Sequence, residues 1–386
     1  MLLNISSQEK KIMVTPFLKV GVLVFLASML YACNFQEADK RANNINGGKR
    51  PAKFEPADGK VILFAGQELE AIGGTENYRD GYFDHYPAPG GFVQYTNFMK
   101  SGNSFGAVLH GLDGLTELID WGDGPENMSI TIADKDFKNS CLAIGLDMGN
   151  GNDSITSTGG HDSLIYRLGN WIKALGRRPV FLRVGYEFDG FEWNHYKKEF
   201  YVPAFRRIRN KLDSMGVTNV AYVWQSKAVG ANRKTFDAFY PGDEYVDWVA
   251  YSFFTAQEEN HPMIQFAKDH KKPLFIAEAS PVILDTNGVS KNLDLTQNAD
   301  AALAWKEWFI PFFRTVDNNP GTIKAIHYIN APWKKRLMWK NNDFFKNIDA
   351  RITKSDSIKV WWLKETSQEQ YLKAADTLFN YLWNNN

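Results

Sequence analysis

The chain has 386 residues, and its 44 basic and 44 acidic side chains balance to a net charge of zero. No broad basic field follows from that balance, which excludes nucleic acid as the main partner and gives no reason to expect a sulfated or uronate-rich ligand. The length would allow two domains, but α/β barrels often run to about 250 residues or more as one. With 14% aromatics and 12 Trp, there is material for a large core and for a few rings exposed as stacking platforms.

At the N-terminus, Lys10, Lys11 and Lys19 precede an apolar run over residues 20–32. A basic region, a short apolar run and a small residue predict a signal peptide, and the run is too short for an ordinary membrane-spanning helix. Leu30-Tyr31-Ala32-Cys33 resembles a bacterial lipobox, so residues 1–33 are expected to end in a lipidated Cys33, with a plain secretory signal as the alternative. The expected location is the bacterial cell envelope, as an outer-membrane or cell-surface lipoprotein held by its lipid alone, or else secreted. Residues 34–59 are polar, aperiodic and rich in Gly and Pro, which predicts a flexible tether. The second cysteine, Cys141, opens an apolar strand and reads as a small core residue.

Residues 60–386 then alternate strand and helix signals. Strands are predicted over residues 60–67, 105–110, 141–147, 180–187, 220–225, 248–253, 274–278 and 323–329. Most are apolar runs without polar alternation, the pattern of strands buried on both faces of a parallel sheet. Helical periodicity is clearest over 200–215, stopped by Gly216, and recurs over 161–175 before Gly176 and over 300–315. Eight such alternations predict a (β/α)8 TIM barrel in a single domain. A doubly wound open sheet is the runner-up, weakened by the absence of a Gly-rich phosphate loop. Residues 71–104 are turn-rich, and residues 368–383 predict a final packing helix.

Two glutamates stand at the ends of these strands: Glu187 after the fourth and Glu278 after the seventh. A carboxylate where a buried strand ends is costly unless it is paired or working. Two of them facing each other across a barrel mouth is the arrangement that glycoside hydrolysis needs. The aromatic surroundings of Glu187 (Phe188, Phe191, Trp193) favour its protonated form and suit a general acid. Arg183, on the same face of the strand, would keep Glu278 ionised, and Tyr251 at the end of the sixth strand could donate its hydroxyl to it. Trp193, Trp224 and Trp333 follow strands four, five and eight and are candidate sugar platforms, although each also suits the core. Asp147, Gln67, His110 and His195 lie near strand ends as candidate substrate contacts, Asp147 alternatively as a partner of Arg183. No HxH, HExxH or CxxC spacing occurs, so no metal and no cofactor are expected.

The segment Arg183-Val-Gly-Tyr-Glu187-Phe-Asp-Gly-Phe-Glu-Trp193 resembles the acid/base segment of glycoside hydrolase family 26, in clan A of the retaining barrels. Residues 216–224, 246–251 and 272–278 are similar to that family's fifth, sixth and nucleophile strands. The resemblance implies Glu187 as acid/base and Glu278 as nucleophile, with Tyr251 beside the nucleophile. The family's mannan-cleaving members usually carry His before the acid/base; Tyr186 stands there in this chain, nearer the β-1,3-xylanase branch. The implied activity is a retaining endo-β-glycanase acting on a β-linked polysaccharide of β-1,3-xylan or β-mannan type, with a monomer as the default state. Three rivals stay open: a surface glycan-binding lipoprotein on an inactive barrel, another clan A activity such as a β-glucanase or exo-glycosidase, and, more weakly, a metal-dependent deacetylase.

Overall fold

A computed structural model of the protein describes residues 52–227 and 230–385. The expected signal segment, Cys33 and the tether up to residue 51 lie outside the described residues. Eight parallel strands run in chain order: β1 Val61–Gly66, β2 Gly91–Asn97, β3 Cys141–Asp147, β4 Val180–Val184, β5 Val220–Ser226, β6 Trp248–Phe253, β7 Leu274–Ala279 and β8 Ile323–Ile329. Each pairs with the next. β8 returns to β1, from Ile62 opposite Ala325 to Gly66 opposite Ile329. That pairing closes the sheet into the predicted (β/α)8 barrel and rules out the open doubly wound alternative.

Side chains alternate across the barrel wall, as the period of a strand requires. Ile62, Phe64, Val93, Ala143, Phe181, Ala221, Trp248 and Phe275 fill the interior. Leu63, Leu142, Ile144, Leu182, Val249, Tyr251 and Ile276 face the helices. The interior is taken up by a few large rings set against very small residues. A Cβ at Gly91 would run into the ring of Phe64, and one at Gly145 would run into the ring of Tyr95. Cys141 is fully buried in this layer.

Helices Asp162–Ala174 and Lys198–Ser214 follow the predicted periodicity. They end before Gly176 and Gly216, which adopt φ of 62° and 67°, the left-handed conformation that favours glycine. The helix expected over 300–315 runs as Asn298–Ala304 and Ile310–Asp317, joined by a π turn over Trp305–Phe309.

Three expectations are corrected. The second strand is Gly91–Asn97, not residues 105–110. Phe105 and Gly106, at φ of 49° and 95°, instead form the two-residue turn of a small hairpin between Asn103–Ser104 and Ala107–Val108. The tail is not one helix over 368–383. Tyr371–Leu372 pairs with Val61 and Ile62 at the start of β1, and only Leu378–Asn384 is helical. The tether also ends earlier than residue 59. Phe54 is fully buried, 5.9 Å from Phe181 and 5.2 Å from Trp383 between ring centres, and Trp248 Nε1 donates to the Lys53 carbonyl at 2.7 Å. Residues 53–54 therefore plug the N-terminal end of the barrel.

Candidate active site

β4 stops at Val184, three residues short of its expected end. Gly185 and Glu187 both take positive φ, 55° and 50°. For a non-glycine residue this conformation costs about 1–2 kcal/mol and persists only where the surroundings enforce it. Here they do: the Glu187 carbonyl accepts from Gly190 N at 2.7 Å and Asn194 Nδ2 at 2.6 Å, and Phe188 N donates to the Gln225 carbonyl at 3.0 Å. Asp189 accepts from Ser226 Oγ and Lys227 N, both at 2.6 Å. The turn is thus tied to β5, and it swings the Glu187 carboxyl over the barrel mouth.

Glu278 reaches the same space by a different device. Phe275 and Ala277 both point inward, so strict alternation would turn Glu278 outward toward the helices. The β6–β7 register slips between Tyr251 and Ser252, which lie opposite Ile276 and Glu278 respectively. That bulge re-aims Glu278 into the barrel. Its Oε1 takes an ion pair from Arg183 Nη2, a hydrogen bond from Tyr95 OH at 3.0 Å and another from Gln225 Nε2 at 3.4 Å.

A connected network surrounds the two acids. Arg183 is fully buried; its Nε donates to Gln225 Oε1 at 2.7 Å, its Nη1 donates to Tyr95 OH at 3.2 Å, and its guanidinium lies 5.1 Å from the ring centres of both Tyr95 and Tyr186. Gln225 Nε2 donates to Ser252 Oγ at 3.1 Å, and Ser252 Oγ donates to Glu187 Oε1 at 2.6 Å. Gln225 and Ser252 therefore bridge the carboxyls. The charges divide accordingly. Arg183 places a fixed cation on Glu278. Glu187, by contrast, is pushed up to about 8, first by loss of hydration and then by the negative charge of Glu278.

Both carboxyls open into a cavity of about 1130 Å³ at the C-terminal ends of the strands. That is at or above the upper end of the usual range for a small-molecule pocket. Gln67, Asp147, Trp193 and Trp333 line it as expected. Asp147 does not hold Arg183; it accepts from Tyr196 OH at 3.1 Å and Gly149 N at 2.6 Å. Four expected residues are elsewhere. Tyr251 points into the helical layer, stacked 4.4 Å from His261, with its hydroxyl on the Glu258 carbonyl at 3.5 Å. Its place beside Glu278 is taken by Tyr95. Trp224 is fully buried and stacked 4.2 Å from Phe188, again on the outward face of its strand. His110 and His195 are exposed and outside the cavity lining. The sequence reading missed Tyr95, Gln225, Ser252 and Asp123. Tyr95 was hidden by the misplaced second strand, and Ser252 by the choice of its louder neighbour Tyr251.

A closed parallel barrel with two bridged carboxyls at its C-terminal mouth, one paired with a buried arginine and one pushed up by burial, has the equipment of a glycoside hydrolase. Known proteins that the chain is similar to belong to the same class. Residues 162–334 match the model of glycosyl hydrolase family 26. The chain is 28% identical over 380 residues to β-1,3-xylanase TXYA of a Vibrio species, covering 94% of this chain and 74% of the relative. It is 28% identical over 377 residues to a β-1,3-xylanase of an Alcaligenes species, covering 94% and 72%. Among solved structures, the fold is shared with a GH26 β-mannanase from Bacteroides ovatus (TM-score 0.52, 13% identity, 83% of this chain and 93% of that one). It is also shared with GH26C from a Muricauda species (TM-score 0.53, 12% identity, 84% and 90%). The chain is a glycoside hydrolase, similar to family 26 over residues 162–334 and to β-1,3-xylanases along most of its length.

Proposed function

We propose that the protein is a retaining endo-β-glycanase that cleaves a β-1,3-linked xylan, with Glu187 as acid/base and Glu278 as nucleophile. The observation that carries the reading is the unlike setting of the two acids: Arg183 and Tyr95 both bond Glu278, while burial raises Glu187 to about 8. The polymer lies across the mouth with one sugar over Glu278. Glu187 gives its proton to the glycosidic oxygen as the C–O bond breaks, and Glu278 Oε bonds to the anomeric carbon. Glu187, now a carboxylate, takes a proton from water, which attacks the anomeric carbon and releases Glu278. The choice of β-1,3-xylan is supported by the named relatives and by Tyr186 ahead of the acid/base. As a further part of this proposal, Cys33 carries a lipid that holds the enzyme at the cell envelope, and Cys33→Ser is expected to move it from the membrane to the soluble fraction.

Reducing-end release from β-1,3-xylan, mannan, β-1,4-xylan, mixed-linkage glucan and laminarin tests the substrate. Release is expected from β-1,3-xylan and is expected to fall at least about 10⁴-fold in Glu278→Ala, the order reached when an enzymic nucleophile is removed. Proton NMR of the first products tests the stereochemistry. The β-anomer appearing first supports retention, and the α-anomer appearing first rules it out.

A further inference from the structure

Asp123 also faces the cavity, and neither the acid/base nor the nucleophile role uses it. It sits in Trp121-Gly-Asp-Gly-Pro125, on the loop after β2, between glycines with φ of 99° and 123°. Asp120 Oδ1 accepts from Gly122 N at 2.8 Å and Gly124 N at 3.1 Å, which fixes the turn. A Cβ on Gly124 would press on the Glu68 side chain at 2.8 Å, so the loop is tightly seated. Two other strand ends reach in to aim the carboxyl. Gln67, just past β1, donates its Nε2 to Oδ2, and Trp339, beyond β8, donates its Nε1 to Oδ1 at 2.5 Å.

Both partners are neutral. The nearby cation, Arg336, spends its guanidinium on Glu68 at 2.6 Å and Glu70 at 2.9 Å. An ionised carboxyl offers about four acceptor sites; two are used here, and the group lies in the cavity wall only 8% exposed. Burial pushes it up to about 7, Glu278 adding to the rise. A buried acid left without its own ion pair destabilises the fold, and placing it at a cavity wall is explained by a ligand that completes its hydrogen bonds.

The position in the barrel says which part of a ligand it meets. Gln67 and Trp339 belong to the β1/β8 side, across the mouth from the β4 turn that carries Glu187. The leaving group departs on the side of Glu187, so Asp123 meets the sugar on the other side of the cleaved bond. We infer that Asp123 is a specificity-determining residue, accepting hydrogen bonds from hydroxyls of the sugar on the glycone side of the cleavage point. The orientation of the chain in this inference rests on the proposed roles of Glu187 and Glu278; binding itself does not.

The test is therefore made on binding, in Glu278→Ala protein, by calorimetric titration with β-1,3-xylotetraose and, in parallel, with β-1,4-mannotetraose. Adding Asp123→Asn is expected to weaken the tighter of the two at least about tenfold, the scale of a lost hydrogen bond to a charged group. Trp339→Phe, which removes one of the two bonds aiming the carboxyl, is expected to weaken it by a smaller factor. Should Asp123→Asn unfold, Trp339→Phe and Gln67→Ala carry the test alone. Unchanged affinity in the folded variants, or no binding of either tetrasaccharide to the parent, would overturn the inference. In the otherwise wild-type enzyme, Asp123→Asn is expected to raise KM and shift the product sizes. A fall in kcat with KM and products unchanged marks a merely structural role. Failure of the wild type to hydrolyse any glycan would sink the proposed function and leave the titration result standing.

Discussion

Arg183 is the residue on which the division of labour in the cleft depends. It is fully buried and meets Glu278 directly, with Gln225 and Tyr95 accepting from two more of its donors. Removing one partner of a buried ion pair strands the other charge, at a cost of about 3–5 kcal/mol. Arg183→Met is expected to lower unfolding free energy by that order in urea denaturation. Arg183→Met combined with Glu278→Gln is expected to recover part of it, because the stranded anion is gone. Glu187 titrates with the opposite consequence for pH. Its folded pKa, about 8, lies above the ordinary value of 4.5, so between those values the folded state holds more protons than the unfolded one. Its contribution to stability is full below about pH 4.5 and is lost as pH rises through 8. The melting temperature is expected to decline less steeply from pH 5 to 8 in Glu187→Gln than in the wild type. If Glu187 is the acid proposed above, the kcat/KM of the wild type is expected to fall above about pH 8, where it loses its proton.

At the scale of elements, the site is built from departures from regular strand geometry. The left-handed turn after β4 lifts Glu187 over the mouth, and the bulge in β7 turns inward a glutamate that plain alternation would face outward. A third device is subtraction: Gly145 on β3 leaves the space that the Tyr95 ring occupies. Gly145→Ala is expected to displace that ring, cost about 1–3 kcal/mol through overpacking, and lower kcat more than the stability loss alone predicts, since Tyr95 is held against Glu278. Reduced activity at a temperature where the variant stays folded checks this. These devices also mark where the sequence was legible. Seven of the eight strands stand out as apolar runs, and the glutamates stand out as acids at their ends. β2 was obscured because Gly90 and Gly91, after Pro87 and Pro89, read as turn. Tyr251 and Trp224 were misread because facing is decided by register, and a one-residue slip in the pairing of neighbouring strands turns a side chain to the other face. Asp123 was missed for a related reason: its partners Gln67 and Trp339 lie far from it in sequence and converge only when the barrel closes.

At the scale of the molecule, the two ends of the described chain share one floor. Phe54 sits between Phe181 and Trp383, while Tyr371–Leu372 extends the sheet at the start of β1. Phe54→Ala is expected to cost about 3–5 kcal/mol, the range for emptying a buried aromatic site, whereas removal of residues 1–51 is expected to leave the urea midpoint of the barrel unchanged; equal losses in both would show that the plug is not what seals the floor. The cleft opens at the opposite end of the strands. The described chain therefore begins at the pole of the barrel farthest from the carboxyls. A long, stiff or partly insoluble polymer can therefore lie across the open mouth without meeting the first described residues.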